Sequence, residues 1–268
     1  MLPGLLLASM LVAPAASTPS LFIEDLTWPE VRDAIAAGKT TAIYYAGSAE
    51  QNGPHMVIGK HTFLARAIAE RIARELGNAL VYPVMPFAPT GDPIAKTGHM
   101  RFPGSVNISE ELFLGVARQV AQSAIVAGFK NVVLMGDHGG GQDELALAAK
   151  GLDEQWGPKG THVYYIHDLY YYAETPDVKA YLATHPIPGA GGHASSEDTS
   201  ELLFIDSAHR WIRADKLAPS HGAQEPLTGV DGDPTQATLE LGKMLVDWKV
   251  KQAVAQIQAL TAQEDKGR

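Results

Sequence analysis

The 268-residue chain contains no cysteine and has no excess of basic residues. Without cysteine it can form neither a disulfide framework nor a thiolate metal site, so any metal must be bound by His, Asp, Glu or water. Its 21 Lys and Arg residues against 30 Asp and Glu residues give a formal net charge of −9. No basic face that would suit nucleic acid is evident, so we expect no nucleic-acid partner. The ten histidines therefore become the candidate metal ligands.

Long apolar runs are also absent, and none is long enough to anchor the chain in a bilayer. The most apolar stretch is the leader at residues 1–17, which ends in the small residues Ala13-Pro14-Ala15-Ala16-Ser17. A short apolar run of this kind is typical of a cleaved signal peptide. We therefore expect an exported, periplasmic protein whose mature domain comprises residues 18–268 and carries no membrane anchor. The leader has no Lys or Arg before its apolar run, which leaves a buried N-terminal segment as the alternative.

Predicted strands and helices alternate along the mature chain. Short apolar segments predict strands at 41–46, 79–84, 131–135 and 162–166. Apolar residues at the helical period, together with start and stop signals, predict helices at 27–38, 64–76, 112–124 and 143–153. This order predicts one α/β domain, a three-layer sandwich with a mostly parallel central sheet. In such sheets ligands bind beyond the carboxyl ends of the strands.

The loops at that predicted edge carry side chains that could bind a metal. Glu50, His55 and His61 follow the first strand, and His138 follows the third strand within a glycine-rich turn. One carboxylate with several imidazoles is a pattern typical of a metal site. A single loop histidine is more often a surface residue, but several at the ends of neighbouring strands favour a site.

A third loop, residues 189–200, adds His193 and two carboxylates beside glycines. Two other interpretations of these loops are weaker. The glycines after His138 could cradle a phosphate, but no Gly-Lys-Ser/Thr follows and the dinucleotide-binding spacing is absent. A nucleophilic triad could combine Ser195 or Ser48 with His193 and Asp198, but no Gly-x-Ser-x-Gly elbow exposes a serine.

Tyrosines cluster around the end of the fourth predicted strand. They form the runs Tyr164-Tyr165 and Tyr170-Tyr171-Tyr172. Such runs are more often half-buried packing than part of a binding site. An aromatic wall near His167 would nevertheless suit a planar ligand, and that alternative stays open.

Five segments, taken in order, resemble the motifs of the creatininase family. Leu26–Glu30 resembles its N-terminal helix start, Gly47–His55 its Gly-x-x-Glu-Gln-His-Gly-x-His loop, His99–Ser105 its His-x-x-Phe-Pro-Gly-Thr motif, Gly136–Gly141 its Asn-Gly-His-Gly-Gly-Asn motif, and His193–Ser200 its His-Ala-Gly-x-x-Glu-Thr-Ser motif. The resemblance covers nearly the whole predicted mature domain. It implies a creatininase-like fold, a homo-oligomer and a metal-dependent amidohydrolase acting on a small amide or lactam.

The resemblance also implies a metal site, because family members hold two metals. Glu50 and His138 match two ligand positions, but three others differ. Asn52 replaces a histidine, His61 replaces a metal-bridging aspartate, and Gly140 stands where creatininase itself has a further glutamate. A neutral imidazole has one lone pair and cannot bridge two cations. We therefore expect one divalent metal per chain, Zn²⁺ before Fe²⁺ or Mn²⁺, bound by Glu50, His61 and His138.

The catalytic residues implied by the resemblance lie in the last motif. His193 matches the family histidine that handles protons, so we expect it to act as general acid to the leaving nitrogen. Asp198 occupies the family glutamate position and is expected to orient His193 or to join the metal shell. The changes at Asn52 and His61 leave an alternative, a non-catalytic metal- or ligand-binding protein on the same fold.

Overall fold

A computed structural model of the chain describes residues 20–265, so the predicted signal peptide at 1–17 lies outside the described residues. Its centre is a four-stranded sheet of β1 (Thr41–Ala46), β2 (Ala79–Val81), β3 (Asn131–Gly136) and β4 (His162–Tyr165). The strand order is β2-β1-β3-β4, and each pair of neighbours is parallel. Because all four strands run the same way, their carboxyl ends share one edge.

The helices connect and cover these strands. They are α1 (Trp28–Ala36), α2 (Lys60–Leu76), α3 (Glu110–Ala127), α4 (Gln142–Trp156), α5 (His167–Tyr170), α6 (Pro176–Leu182), α7 (Ser196–Ile205), α8 (Glu225–Thr228) and α9 (Leu239–Asp265). Within residues 20–265, no helix combines the length and the apolar character needed to cross a membrane. The sequence predicts an irregular loop as far as His61, but α2 already begins at Lys60, so both residues lie in its first turn.

Two apolar cores sandwich the sheet. Alternate residues of a strand point to opposite faces, and β1 is buried on both faces. Ile43 and Tyr45 belong to the core formed with α2 and α9, whereas Ala42 and Tyr44 belong to the core formed with α3 and α4. The predicted three-layer α/β sandwich is therefore confirmed, with its strand and helix order.

Candidate metal and active site

A cavity of about 550 Å³ opens at the carboxyl edge of the sheet. The segment after β1 brings Glu50 to it, and the segment after β3 brings Asp137 and His138. The loop that precedes α7 adds His193 from outside the sheet. The prediction that the loops after β1 and β3 meet at this edge is confirmed.

Glu50 lies at the centre of this cavity and is 1% exposed. Its Oε1 atom is 3.0 Å from Nε2 of His61, and its Oε2 atom is 2.5 Å from Nε2 of His138 and 3.6 Å from Nε2 of His99. Burial alone would raise the pKa of Glu50, but His61 and His138 hold it well below its usual value. The group is therefore an ionised carboxylate surrounded by imidazoles.

The carboxylate has an oxygen that fits a cation. Glu50 Oε2 is buried and accepts no regular hydrogen bond from the described residues, although His138 Nε2 lies 2.5 Å away. Each of Glu50, His99 and His138 offers one atom within 4.8 Å of the others. One carboxylate oxygen and two imidazole nitrogens form a donor set that suits a divalent transition metal.

His61, a predicted ligand, makes two hydrogen bonds to carboxylates. Its Nδ1 atom is 2.8 Å from Asp137 Oδ2, and its Nε2 atom is 3.0 Å from Glu50 Oε1. Burial and the nearby Lys60 act to lower the His61 pKa, but Glu50 and Asp137 outweigh them and raise it. With both ring nitrogens directed at carboxylates, His61 lies outside the group formed by Glu50, His99 and His138.

His99 was missed as a candidate ligand, although it opens one of the motifs quoted above. It lies in the short 3-10 helix Gly98–Arg101, which borders the cavity. Its Nδ1 atom is 3.1 Å from the Gln51 amide nitrogen, while the Gln51 amide oxygen accepts from the Gly53 N–H. Because the Gln51 amide donates to Nδ1, the proton of the neutral His99 ring lies on Nε2 in this arrangement.

A buried chain of alternating charges continues from His61 along the wall of the cavity. Asp137 also accepts a hydrogen bond from the Tyr45 hydroxyl at 3.1 Å and lies 3.5 Å from Lys249 Nζ, which donates to Glu201 at 2.6 Å. Burial alone would lower the Lys249 pKa, but Asp137 and Glu201 raise it well above its usual value. Removing one partner of a buried ion pair costs roughly 3–5 kcal/mol, so these groups depend on one another. Neither Asp137 nor Lys249 was predicted to belong to the site.

The two predicted catalytic residues lie near each other but do not hydrogen-bond to each other within residues 20–265. His193 Nε2 is 2.9 Å from the Gln51 carbonyl oxygen. Asp198 accepts from Lys60 Nζ at 2.7 Å and from the Ala194 N–H at 2.7 Å. Asp198 therefore holds the backbone beside His193, where Ala194 has a φ of 52° in the left-handed region.

The candidate His55 and the nearby Asn52 have other roles. His55 is fully buried, and its Nε2 atom is 3.0 Å from the Thr199 hydroxyl. Asn52 donates its amide to the Glu50 carbonyl oxygen at 2.8 Å. Neither side chain lines the cavity, so both support the loop that carries Glu50.

The glycines that follow His138 allow very close packing. A Cβ atom on Gly140 would lie 2.1 Å from the Pro89 carbonyl oxygen, and a Cβ atom on Gly139 would lie 2.9 Å from the Tyr170 hydroxyl. The loop that carries Pro89 therefore rests directly on residue 140. This contact excludes any side chain at position 140 unless the loop moves.

Comparison with known proteins identifies related chains. The family model described as creatininase, creatinine amidohydrolase, matches residues 24–257. A creatinine amidohydrolase from Pseudomonas putida is 29% identical over 119 residues, 44% of this chain and 45% of that protein. A mycofactocin precursor peptide peptidase from Mycobacterium tuberculosis is 27% identical over 246 residues, 82% of this chain and 85% of that protein.

Solved structures show the same fold. A creatininase described as the Mn form superposes with a TM-score of 0.73 at 22% identity, covering 90% of this chain and 98% of that one. A Zn-Zn type creatininase mutant gives a TM-score of 0.73 at 21% identity with the same coverage. The family match spans most of the chain, its relatives are named as hydrolases, and a Glu/His/His group able to bind a metal lies at the cavity. The chain therefore belongs to the creatininase family.

Proposed function

We propose that the protein is a metal-dependent hydrolase that cleaves a C–N bond in a small amide or cyclic amide. The observation that carries this proposal is Glu50 Oε2, a buried carboxylate oxygen without a regular hydrogen bond, which lies 2.5 Å from His138 Nε2 and 3.6 Å from His99 Nε2 at the cavity. A purely structural carboxylate buried to this degree would have its lone pairs satisfied by donors. An oxygen left open in such surroundings fits a bound cation.

One divalent metal per chain is proposed, with Zn²⁺ preferred and Fe²⁺ or Mn²⁺ as alternatives. Glu50 and His138 are two of its ligands. His99 is the better third ligand by position, because both nitrogens of His61 contact carboxylates; the expected ligand role of His61 stays a prediction. Binding through Nε2 of His99 requires its proton to move to Nδ1, so the Gln51 amide must turn its oxygen toward that nitrogen. When bound, such a metal lowers the pKa of water and polarises a carbonyl.

His193 is proposed to handle the protons of the reaction. A carbonyl oxygen only accepts, so the hydrogen bond to Gln51 places a proton on Nε2 and leaves the Nδ1 lone pair open. Burial and Lys60 lower the His193 pKa, which keeps the ring neutral near pH 7. A neutral ring at the cavity can accept a proton from the attacking water and then donate it to the leaving nitrogen, which is the expected general-acid role.

The relatives support a C–N bond but differ in the size of the substrate that their names imply. One is named for creatinine and another for a precursor peptide. A cavity of about 550 Å³ has room for a small amide or lactam. The alternative, a binding protein without catalysis, is favoured by a specific observation, the presence of Asn52 and His61 at two positions where the resemblance implies metal ligands.

Elemental analysis combined with a substrate screen tests the proposal. The purified protein should contain about one metal per chain and hydrolyse at least one compound among small amides, lactams and formamides. Activity should disappear after chelation and return with zinc or manganese. A fully metallated protein that binds one of these compounds but hydrolyses none would favour the binding-protein alternative, and two metals per chain would contradict the proposed stoichiometry.

Export and self-association belong to the proposal as well. The apolar leader at residues 1–17 supports a periplasmic location, and the family resemblance supports a homo-oligomer. Intact-mass measurement on protein from the native compartment should give a chain that begins soon after Ala15 or Ser17. A protein that retains the leader in the cytoplasm would refute export.

A further inference from the structure

Tyr170 presents a free hydroxyl group to the cavity. It is the last residue of α5, which follows β4, so its ring lies over the carboxyl edge of the sheet and lines the cavity. The hydroxyl has no hydrogen-bond partner within residues 20–265. Burial raises the Tyr170 pKa to about 12, so the group keeps its proton at neutral pH and can act only as a neutral donor or acceptor.

Two other buried tyrosines near the site donate hydrogen bonds through their hydroxyls. Tyr165 donates to the Gln142 side chain at 2.6 Å, and Tyr45 donates to Asp137 at 3.1 Å. These two hydrogen bonds satisfy the hydroxyl groups, as is usual for buried polar groups. Tyr170 has no such partner among the described residues, although it lies beside the same network.

The nearby carboxylates do not need the Tyr170 hydroxyl. Asp137 is already engaged by His61, Tyr45 and Lys249. Asp198 likewise has Lys60 and a backbone N–H as partners. The donor capacity of Tyr170 is therefore available to a molecule in the cavity.

The backbone beside His138 leaves room for this hydroxyl. Gly139 has no side chain, and a Cβ atom there would lie only 2.9 Å from the Tyr170 oxygen. The hydroxyl consequently lies against the residue that follows His138, next to the proposed ligand cluster. Tyr170, Glu50, His99 and His138 line the same cavity, so a molecule bound there can contact both the hydroxyl and the ligand cluster.

We propose that Tyr170 is a further catalytic residue, whose O–H donates a hydrogen bond to the carbonyl oxygen of the scissile amide and to the negative charge that develops there. This inference rests on the proposed hydrolase function. A donor directed at the developing charge stabilises the transition state more than the bound substrate, so it acts mainly on turnover. His193 would handle protons, while Tyr170 would keep its own proton throughout.

Tyr170→Phe tests the role, because it removes only the hydroxyl, and Tyr171→Phe is the matched control. Tyr171 stacks on His167 with ring centroids 4.4 Å apart and does not line the cavity. We expect Tyr170→Phe to keep the metal content and to lower kcat by about 10²–10³-fold with little change in KM on any amide that the wild type hydrolyses. The control should behave as the wild type.

A binding measurement covers the case in which no substrate is found. The probe is acetohydroxamate, a planar amide-like molecule with a carbonyl oxygen, titrated into the zinc-loaded proteins. Tyr170→Phe should weaken its binding by roughly 10–100-fold, the range for a hydrogen bond to a charged acceptor. If Tyr170→Phe binds the probe as tightly as Tyr171→Phe does, and turns over any known substrate equally fast, the Tyr170 assignment alone would be overturned. Failure of the zinc-loaded wild type to bind the probe would overturn the proposed function and this inference together, whereas a wild type that takes up no zinc would refute the metal site itself.

Discussion

His138→Ala is expected to remove the metal and the hydrolytic activity together. The His138 imidazole contacts the Glu50 carboxylate at 2.5 Å and belongs to the only group of three potential ligands found within residues 20–265. A ligand supplies coordination as well as charge, so its loss cannot be compensated by added substrate. Elemental analysis should show a fall from about one metal per chain to a small fraction, and activity should fall to background.

Two further variants test whether His99 or His61 is the third metal ligand. His99→Ala should also lose the metal, whereas His61→Ala should retain most of it, because His61 already contacts Glu50 and Asp137. His185→Ala is the control, since His185 is exposed and stacks on a surface tyrosine. The opposite result, with metal lost in His61→Ala and retained in His99→Ala, would support the ligand set expected from the sequence.

His193→Ala is expected to lower turnover by roughly 10²–10⁴-fold while folding and metal content stay nearly intact. Its Nε2 atom bonds to the Gln51 carbonyl oxygen and its ring packs against the His99 ring with centroids 4.4 Å apart, but it is not part of the three-ligand group. Its loss should therefore remove proton transfer without removing coordination. Single-turnover kinetics and elemental analysis on the same sample measure the two effects separately.

The control for that experiment is His167→Ala. His167 lies at the start of α5 outside the cavity, with its side chain 47% exposed, so turnover should stay unchanged. Full activity in His193→Ala would leave the enzyme class standing but would refute this assignment of the proton-transfer residue. Loss of metal in His193→Ala would instead indicate that the ring belongs to the metal site.

The fold could be predicted because its signals are local. Strands buried on both faces form continuous apolar segments, and α2 and α3 repeat their apolar residues at the helical period. The position of Glu50 and His138 at one edge then follows from the parallel order of β1 and β3. The start of α2 was placed too late because Lys60 and His61 are polar residues whose burial depends on tertiary contacts.

The side chains that contact the site residues could not be predicted from local sequence signals. Lys249 lies on α9, far along the chain from Asp137, and nothing in its sequence neighbourhood indicates a buried ion pair. His99 carried a motif signal, but only the folded chain shows its Nε2 atom 3.6 Å from Glu50. The third ligand depends on ring orientation, which spacing along the chain does not determine.

The contact between Gly140 and the Pro89 carbonyl oxygen limits which further ligands this site can accept. A glutamate at position 140 would meet that oxygen unless the whole loop moved. An aspartate at position 61 would place a second carboxylate beside Asp137, and like charges at such range disfavour each other. Each replacement alone therefore disturbs the packing or the charge balance of the cavity wall. A second carboxylate ligand can be engineered into this site only together with changes to the Pro89 loop or to Asp137.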